Sequence, residues 1–145
     1  MGKIPTVMAL RSRNIQIEDP SCTLCHYGDE TVDHLFTSCS LAVRLWSLIR
    51  YWCNTPIFLV FSFRDLLEWH NHLGKSGRAK EAIKGIIIVA CWSLWNARNE
   101  KRFLNLSARV ENFFSQVKAV SFLWFVNRSS HKDVTWDDWC KFVNM

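Results

Sequence analysis

Cys22-Thr23-Leu24-Cys25-His26-Tyr27-Gly28-Asp29-Glu30-Thr31-Val32-Asp33-His34-Leu35-Phe36-Thr37-Ser38-Cys39 places three cysteines and two histidines within 18 residues. The spacing is Cys-x2-Cys-x8-His-x4-Cys, taking His34 as the histidine. Two cysteines separated by two residues turn their sulfurs onto one point, because the backbone between them forms a tight knuckle. Zinc then needs two further ligands to complete its tetrahedron, and a Cys3His set supplies them. The second pair follows so closely that closing the loop costs little entropy. Gly28 and Asp29 provide the turn between the pairs. Four protein ligands leave no open position, so the expected site holds one structural zinc ion and does no chemistry. His26 is a competing imidazole, but its adjacency to Cys25 makes simultaneous binding awkward, and His34 is preferred. Cys22 to His26 also fits the C-x-x-C-H pattern of covalent haem attachment. That reading leaves His34 and Cys39 unexplained and requires export.

Outward from this stretch the pattern is helical. Val7 and Leu10 suggest a short helix over Thr6 to Arg13, and Asp19-Pro20-Ser21 breaks the chain before the first cysteine. Leu41, Leu45, Leu48 and Trp52 recur at helical spacing, which predicts an amphipathic helix over Ser40 to Cys53. Ser62-Phe63-Arg64-Asp65 and Thr135-Trp136-Asp137-Asp138 have the form of helix-starting capping boxes. Between them, a long helix is expected from about Ala79 to Phe103, with Ile83, Ile87, Cys91 and Leu94 on one stripe. Another follows Ser107, carrying Val110, Phe113, Phe114, Val117 and Trp124. Gly74 to Arg78 reads as a flexible basic loop. Only Ile57 to Phe63 resembles a strand. The expected fold is mostly α: a small N-terminal zinc knuckle followed by a helical bundle, with residues 1–53 as the zinc-binding domain and 54–145 as the helical region.

Composition sets the outer limits. A length of 145 residues, 49% hydrophobic, with eight tryptophans, suffices for a sizeable core and excludes a disordered tail. The six cysteines are irregularly spaced, and Met1 is followed by no signal-like apolar run. Thiols or metal ligands are therefore expected rather than disulfides, in an intracellular protein of nucleus or cytoplasm. The apolar run Gly85 to Trp95 is about half the ~20 residues of a membrane span, so no membrane is expected. A formal charge of +5 favours acidic partners such as nucleic acid, and a solvated surface explains it equally well.

The neighbours of the ligands are more specific than the ligands. Ile4-Pro5-Thr6, Ala9-Leu10 and Arg13-Asn14-Ile15 precede Cys22-Thr23-Leu24-Cys25. Glu30-Thr31-Val32-Asp33-His34-Leu35-Phe36, Cys39, Trp46 and Trp52-Cys53 follow it. Over residues 4 to 53 this resembles the reverse-transcriptase zinc-binding domain that follows the polymerase region of plant LINE-type, non-LTR retrotransposons. Trp92 to Asn99 and Trp136 to Phe142 look like the region that comes next in such elements. The resemblance implies zinc ligation at Cys22, Cys25, His34 and Cys39, and a role in holding RNA or DNA near the polymerase of the parent element. His26 departs from the family, which usually has glycine there. The helix that normally precedes the Pro-Thr segment, the paired-aspartate polymerase motif and a ribonuclease H acid set are not found. The chain thus reads as a detached, non-enzymatic piece of such an element.

Lys75, Arg78, Lys80, Lys84, Arg98, Lys101 and Arg102 flank the two ends of the long helix. They are the candidate phosphate contacts, against the alternative of a solvated face. Trp92 and Trp95 are expected in the core, Cys53, Cys91 and Cys140 as inert thiols, and His70 and His72 as surface residues. No Ser/His/Asp set, phosphate loop or catalytic carboxylate pair is defensible. Three functional expectations follow: a nucleic-acid-binding zinc module of a reverse transcriptase, a zinc-stabilised helical protein-interaction module, or a retroelement fragment without present function.

Overall fold

The computed structural model describes residues 5–13, 19–56, 60, 62–75, 77–104, 109–128 and 131–143, without the side chains of residues 7 and 102–104. The candidate strand at Ile57 to Phe63 and the cap at Ser107 fall wholly or mostly outside these residues. So does the side chain of Arg102. Among the described residues there are six α-helices and no strand. They are α1 (Val7–Ser12), α2 (Ser40–Cys53), α3 (Phe63–Glu68), α4 (Gly77–Leu104), α5 (Val110–Arg128) and α6 (Trp136–Lys141). No helix among them is long and apolar enough to cross a membrane.

The helix boundaries have local causes. Thr6 caps α1 by accepting from Ala9 N, and Ser62 caps α3 by accepting from Asp65 N. At α6 the capping box is complete: Thr135 Oγ1 accepts from Asp138 N, while Asp138 accepts from Thr135 N. Asn54 ends α2 in the left-handed conformation. The expected loop is shorter than the sequence suggested, because Gly77 and Arg78 already belong to α4. Arg78 is anchored there by Asp133 and by His131, whose Nδ1 accepts from Arg78 Nε at 2.9 Å.

α4 and α5 pack along each other and support α2 and α6. Gly85 makes the close approach possible. A Cβ at that position would lie 2.2 Å from the Trp124 ring, so the notch in α4 is cut to the indole of α5. The stripe Ile83, Ile87, Cys91 and Leu94 is buried as expected, joined by Ile86, Ala90 and Ala97. Trp139 is fully buried at the α5–α6 contact, its Nε1 donating to Lys118 O and its carbonyl accepting from Trp52 Nε1 at 2.8 Å. Trp52 meets Trp139, Phe114 and Phe142 edge-on. Two tryptophans depart from expectation. Trp92 is half-exposed on the outer side of α4, and Trp95 is only partly buried, because periodicity reports a helix's faces and not which of them a neighbour covers.

The buried residues form one continuous cluster that runs from Cys22 to Trp139 and crosses residue 53. Phe36 stacks on Phe63 at 4.6 Å, and Asp33 Oδ1 accepts from Phe63 N at 2.8 Å.

Candidate metal centre

Two backbone devices converge here. The first is a small hairpin-like knuckle. Ser21 and Asp29 pair as an antiparallel bridge, Cys22 N donates to Gly28 O at 2.9 Å, and His26 N donates to Cys22 O at 2.8 Å. Reversing the chain within these few residues requires left-handed backbone at two positions, His26 (φ 62°) and Gly28 (φ 74°). Tyr27 N donates to Cys25 Sγ at 3.4 Å, which orients that sulfur inward.

The second device is a π-helical turn at His34–Ser38. Residues five apart on an α-helix point about 140° away from each other. The wider turn closes a bond from Cys39 N to His34 O at 2.7 Å and puts both residues on one side. Its position is secured from α2, where Trp46 Nε1 donates to Phe36 O at 2.7 Å.

The ligand atoms of Cys22, Cys25, His34 and Cys39 consequently all lie within 4.8 Å of one another. Cys22 Sγ stands 3.8 Å from Cys39 Sγ, and Cys25 Sγ 3.2 Å from His34 Nε2. Bond lengths of about 2.3 Å to sulfur and 2.0–2.1 Å to nitrogen imply tetrahedral edges of roughly 3.5–3.8 Å. Three thiols and an imidazole at such separations fit one zinc ion. His34 presents Nε2 to the cluster while Nδ1 faces Ser38 Oγ at 3.2 Å. A hydrogen bond from the second ring nitrogen is what fixes a ligating imidazole. Burial lowers the His34 pKa, favouring the neutral form that metals bind. Cys22 donates its thiol proton to Cys39. That bond, with burial, holds Cys22 above the usual thiol range, and the same bond pulls Cys39 below it against the opposing effect of burial. His26 is exposed and outside the cluster.

The cations expected to meet phosphate have separated fates. Lys84 is exposed, and Lys75 and Lys80 are partly buried. Lys84 and Lys80 lie near enough to His70 to reinforce the lowering of its pKa, of which burial is the main cause. Arg78 is held by Asp133 and His131. Arg98 is a correction: it is buried against Glu30 and presents no charge to the surface. Lys101 turns inward to Leu24 O at 3.0 Å.

A Cys3His cluster mounted on a helical support defines a zinc-binding module with one structural ion. Residues 1–46 match the family model described as zinc-binding in reverse transcriptase, the domain whose resemblance the sequence carries. The match includes all four clustered residues and describes a zinc-binding domain, not a catalytic one. No curated protein and no solved structure matches the chain.

Proposed function

We propose that Cys22, Cys25, His34 and Cys39 hold the zinc, and that the module so formed binds RNA or DNA beside the polymerase region of a plant LINE-type retrotransposon protein. Residues 1–53 act as the zinc-binding unit and 54–145 as its helical continuation. The observation that carries the reading is the match of residues 1–46 to the zinc-binding domain of reverse transcriptases. The zinc confers shape rather than chemistry, since the four residues fill its coordination. Lys75, Lys80 and Lys84 supply the phosphate contacts, because they remain at the surface while Arg98 and Lys101 are engaged within the protein.

The test is binding of single-stranded RNA and DNA across salt concentration. Three phosphate contacts give a slope of about −2 in log affinity against log salt. Lys75→Gln, Lys80→Gln and Lys84→Gln together are expected to flatten it. Absent or salt-independent binding overturns the nucleic-acid reading. In parallel, Cys39→Ser lowers zinc content sharply, and full occupancy in that variant would show the ligand set to be wrong. One observation favours protein docking as the second reading. Ile88 and Trp92 stand exposed one turn apart on α4, which is more apolar surface than phosphate binding requires.

A further inference from the structure

Between Cys22 and Cys25 lie only Thr23 and Leu24, and their peptide groups set where the two sulfurs point. Both are gripped from outside that turn. Thr23 N donates to Glu30 Oε2 at 2.9 Å, and Leu24 O accepts from Lys101 Nζ at 3.0 Å. The other oxygen of Glu30, Oε1, accepts from Arg98 Nε at 3.0 Å and Arg98 Nη2 at 2.8 Å. Arg98 is fixed in turn, with Nη1 donating to Asn99 Oδ1 at 2.9 Å and the guanidinium 4.9 Å from the centre of the Trp95 ring. Arg98 and Lys101 are three apart on α4, so they lie on one face and reach the same turn of the knuckle.

The Glu30–Arg98 pair is almost fully buried, at 0% and 3% side-chain exposure. Burying two charges forfeits most of their hydration, so such a pair adds little to stability over a packed apolar pair. What it supplies is direction: a carboxylate held by a guanidinium on one oxygen presents the other to one backbone N–H.

We propose that Glu30, Arg98 and Lys101 are positioning residues for the zinc site, through which α4 preorganises the Cys22–Cys25 turn. Arg98 and Lys101 lie more than fifty residues beyond the end of the matched segment, so the zinc-binding unit of residues 1–53 draws its support from the C-terminal part of α4 in the helical continuation. The inference rests on the proposed ligand set, whose own failure would appear as full zinc content in Cys39→Ser.

The experiment uses the full chain and three readouts: zinc affinity by competition with a chromophoric chelator, the visible spectrum of the cobalt-substituted protein, and helical unfolding by circular dichroism. Losing an outer-shell partner costs 10- to 100-fold in metal affinity. Arg98→Met is expected to show such a loss, and Lys101→Met a smaller one. Because Arg98→Met leaves the buried Glu30 carboxylate without its guanidinium, the deciding variant is Glu30→Leu with Arg98→Leu, which removes both charges. It is expected to bind zinc at least tenfold more weakly and to shift the cobalt bands, while the helical unfolding midpoint stays near that of the parent. Parental zinc affinity and cobalt spectrum in the double variant would overturn the proposal. So would a loss of helical stability in step with the loss of affinity, since the pair would then act only through the fold.

Discussion

The Cys22–Cys39 knuckle and the α4–α5 pair reach order by opposite means. The knuckle buries Leu24, Leu35, Phe36, Cys22 and Cys39, and its chain reversal uses left-handed backbone at His26 and Gly28. The helical pair buries a run of isoleucines, alanines and aromatic rings, with Trp139 at one end fully enclosed. In the first region, position is specified by a few polar atoms at defined distances; in the second, by volume. A region of the first kind depends on what binds it, and a region of the second kind depends on what fills it.

Metal removal is the largest perturbation that separates the two. Structural zinc contributes on the order of 10–16 kcal/mol in small finger peptides, as much as the whole stability of an ordinary domain. Chelation is expected to abolish hydrogen-exchange protection across Cys22–Cys39 while most helical signal persists in α4 and α5. The continuous core and the Glu30–Arg98 link set where the loss should spread first, to the C-terminal turns of α4 near Arg98. A single cooperative loss of all helical signal on chelation would break the comparison, and with it the proposed division at residue 53.

Trp139→Ala perturbs the other region. The indole is fully buried, touches Trp52, Phe122 and Phe125, and donates to Lys118 O. Truncating such a side chain costs about 3–5 kcal/mol. Thermal unfolding of the helices should fall accordingly, while zinc content and the cobalt spectrum remain those of the parent. A change in the cobalt spectrum would mean that volume at the far end of α5 reaches the metal site.

How much of this was legible beforehand follows the same split. Cys22, Cys25, His34 and Cys39 were readable because ligand type and spacing restrict the backbone directly. The bounds of α2 and the burial of Ile83, Ile87, Cys91 and Leu94 were readable because helical periodicity is local. The π-helical turn was not, since the x4 spacing from His34 to Cys39 is compatible with a helix or a loop, and only the tertiary anchor at Trp46 selects the wide form. The Glu30–Arg98 pair joins residues 68 apart, and no local pattern distinguishes this buried arginine from the six other candidate cations flanking the same helix. Trp92 was misplaced for the related reason that the Gly85 to Trp95 part of its helix is apolar nearly all round, and only part of that surface is covered.

The smallest effect concerns His26, where the resemblance leads one to expect glycine. Its φ of 62° lies in the left-handed region, where an L-residue meets its own carbonyl and costs roughly 1–2 kcal/mol. Histidine is tolerated there better than branched residues are, which places the strain toward the low end. Replacement by glycine removes it but adds freedom to the unfolded chain, offsetting about 0.4–1 kcal/mol. The ring is exposed and outside the metal cluster, so no packing or ligand is lost. His26→Gly is therefore expected to gain about 0.5 kcal/mol net. Because folding of the knuckle and zinc binding are one equilibrium, the gain appears as roughly twofold tighter zinc in chelator competition. Helical unfolding, governed by the other region, should not move. Weaker zinc in this variant would instead show that the His26 imidazole reaches the metal and that His34 had been wrongly preferred.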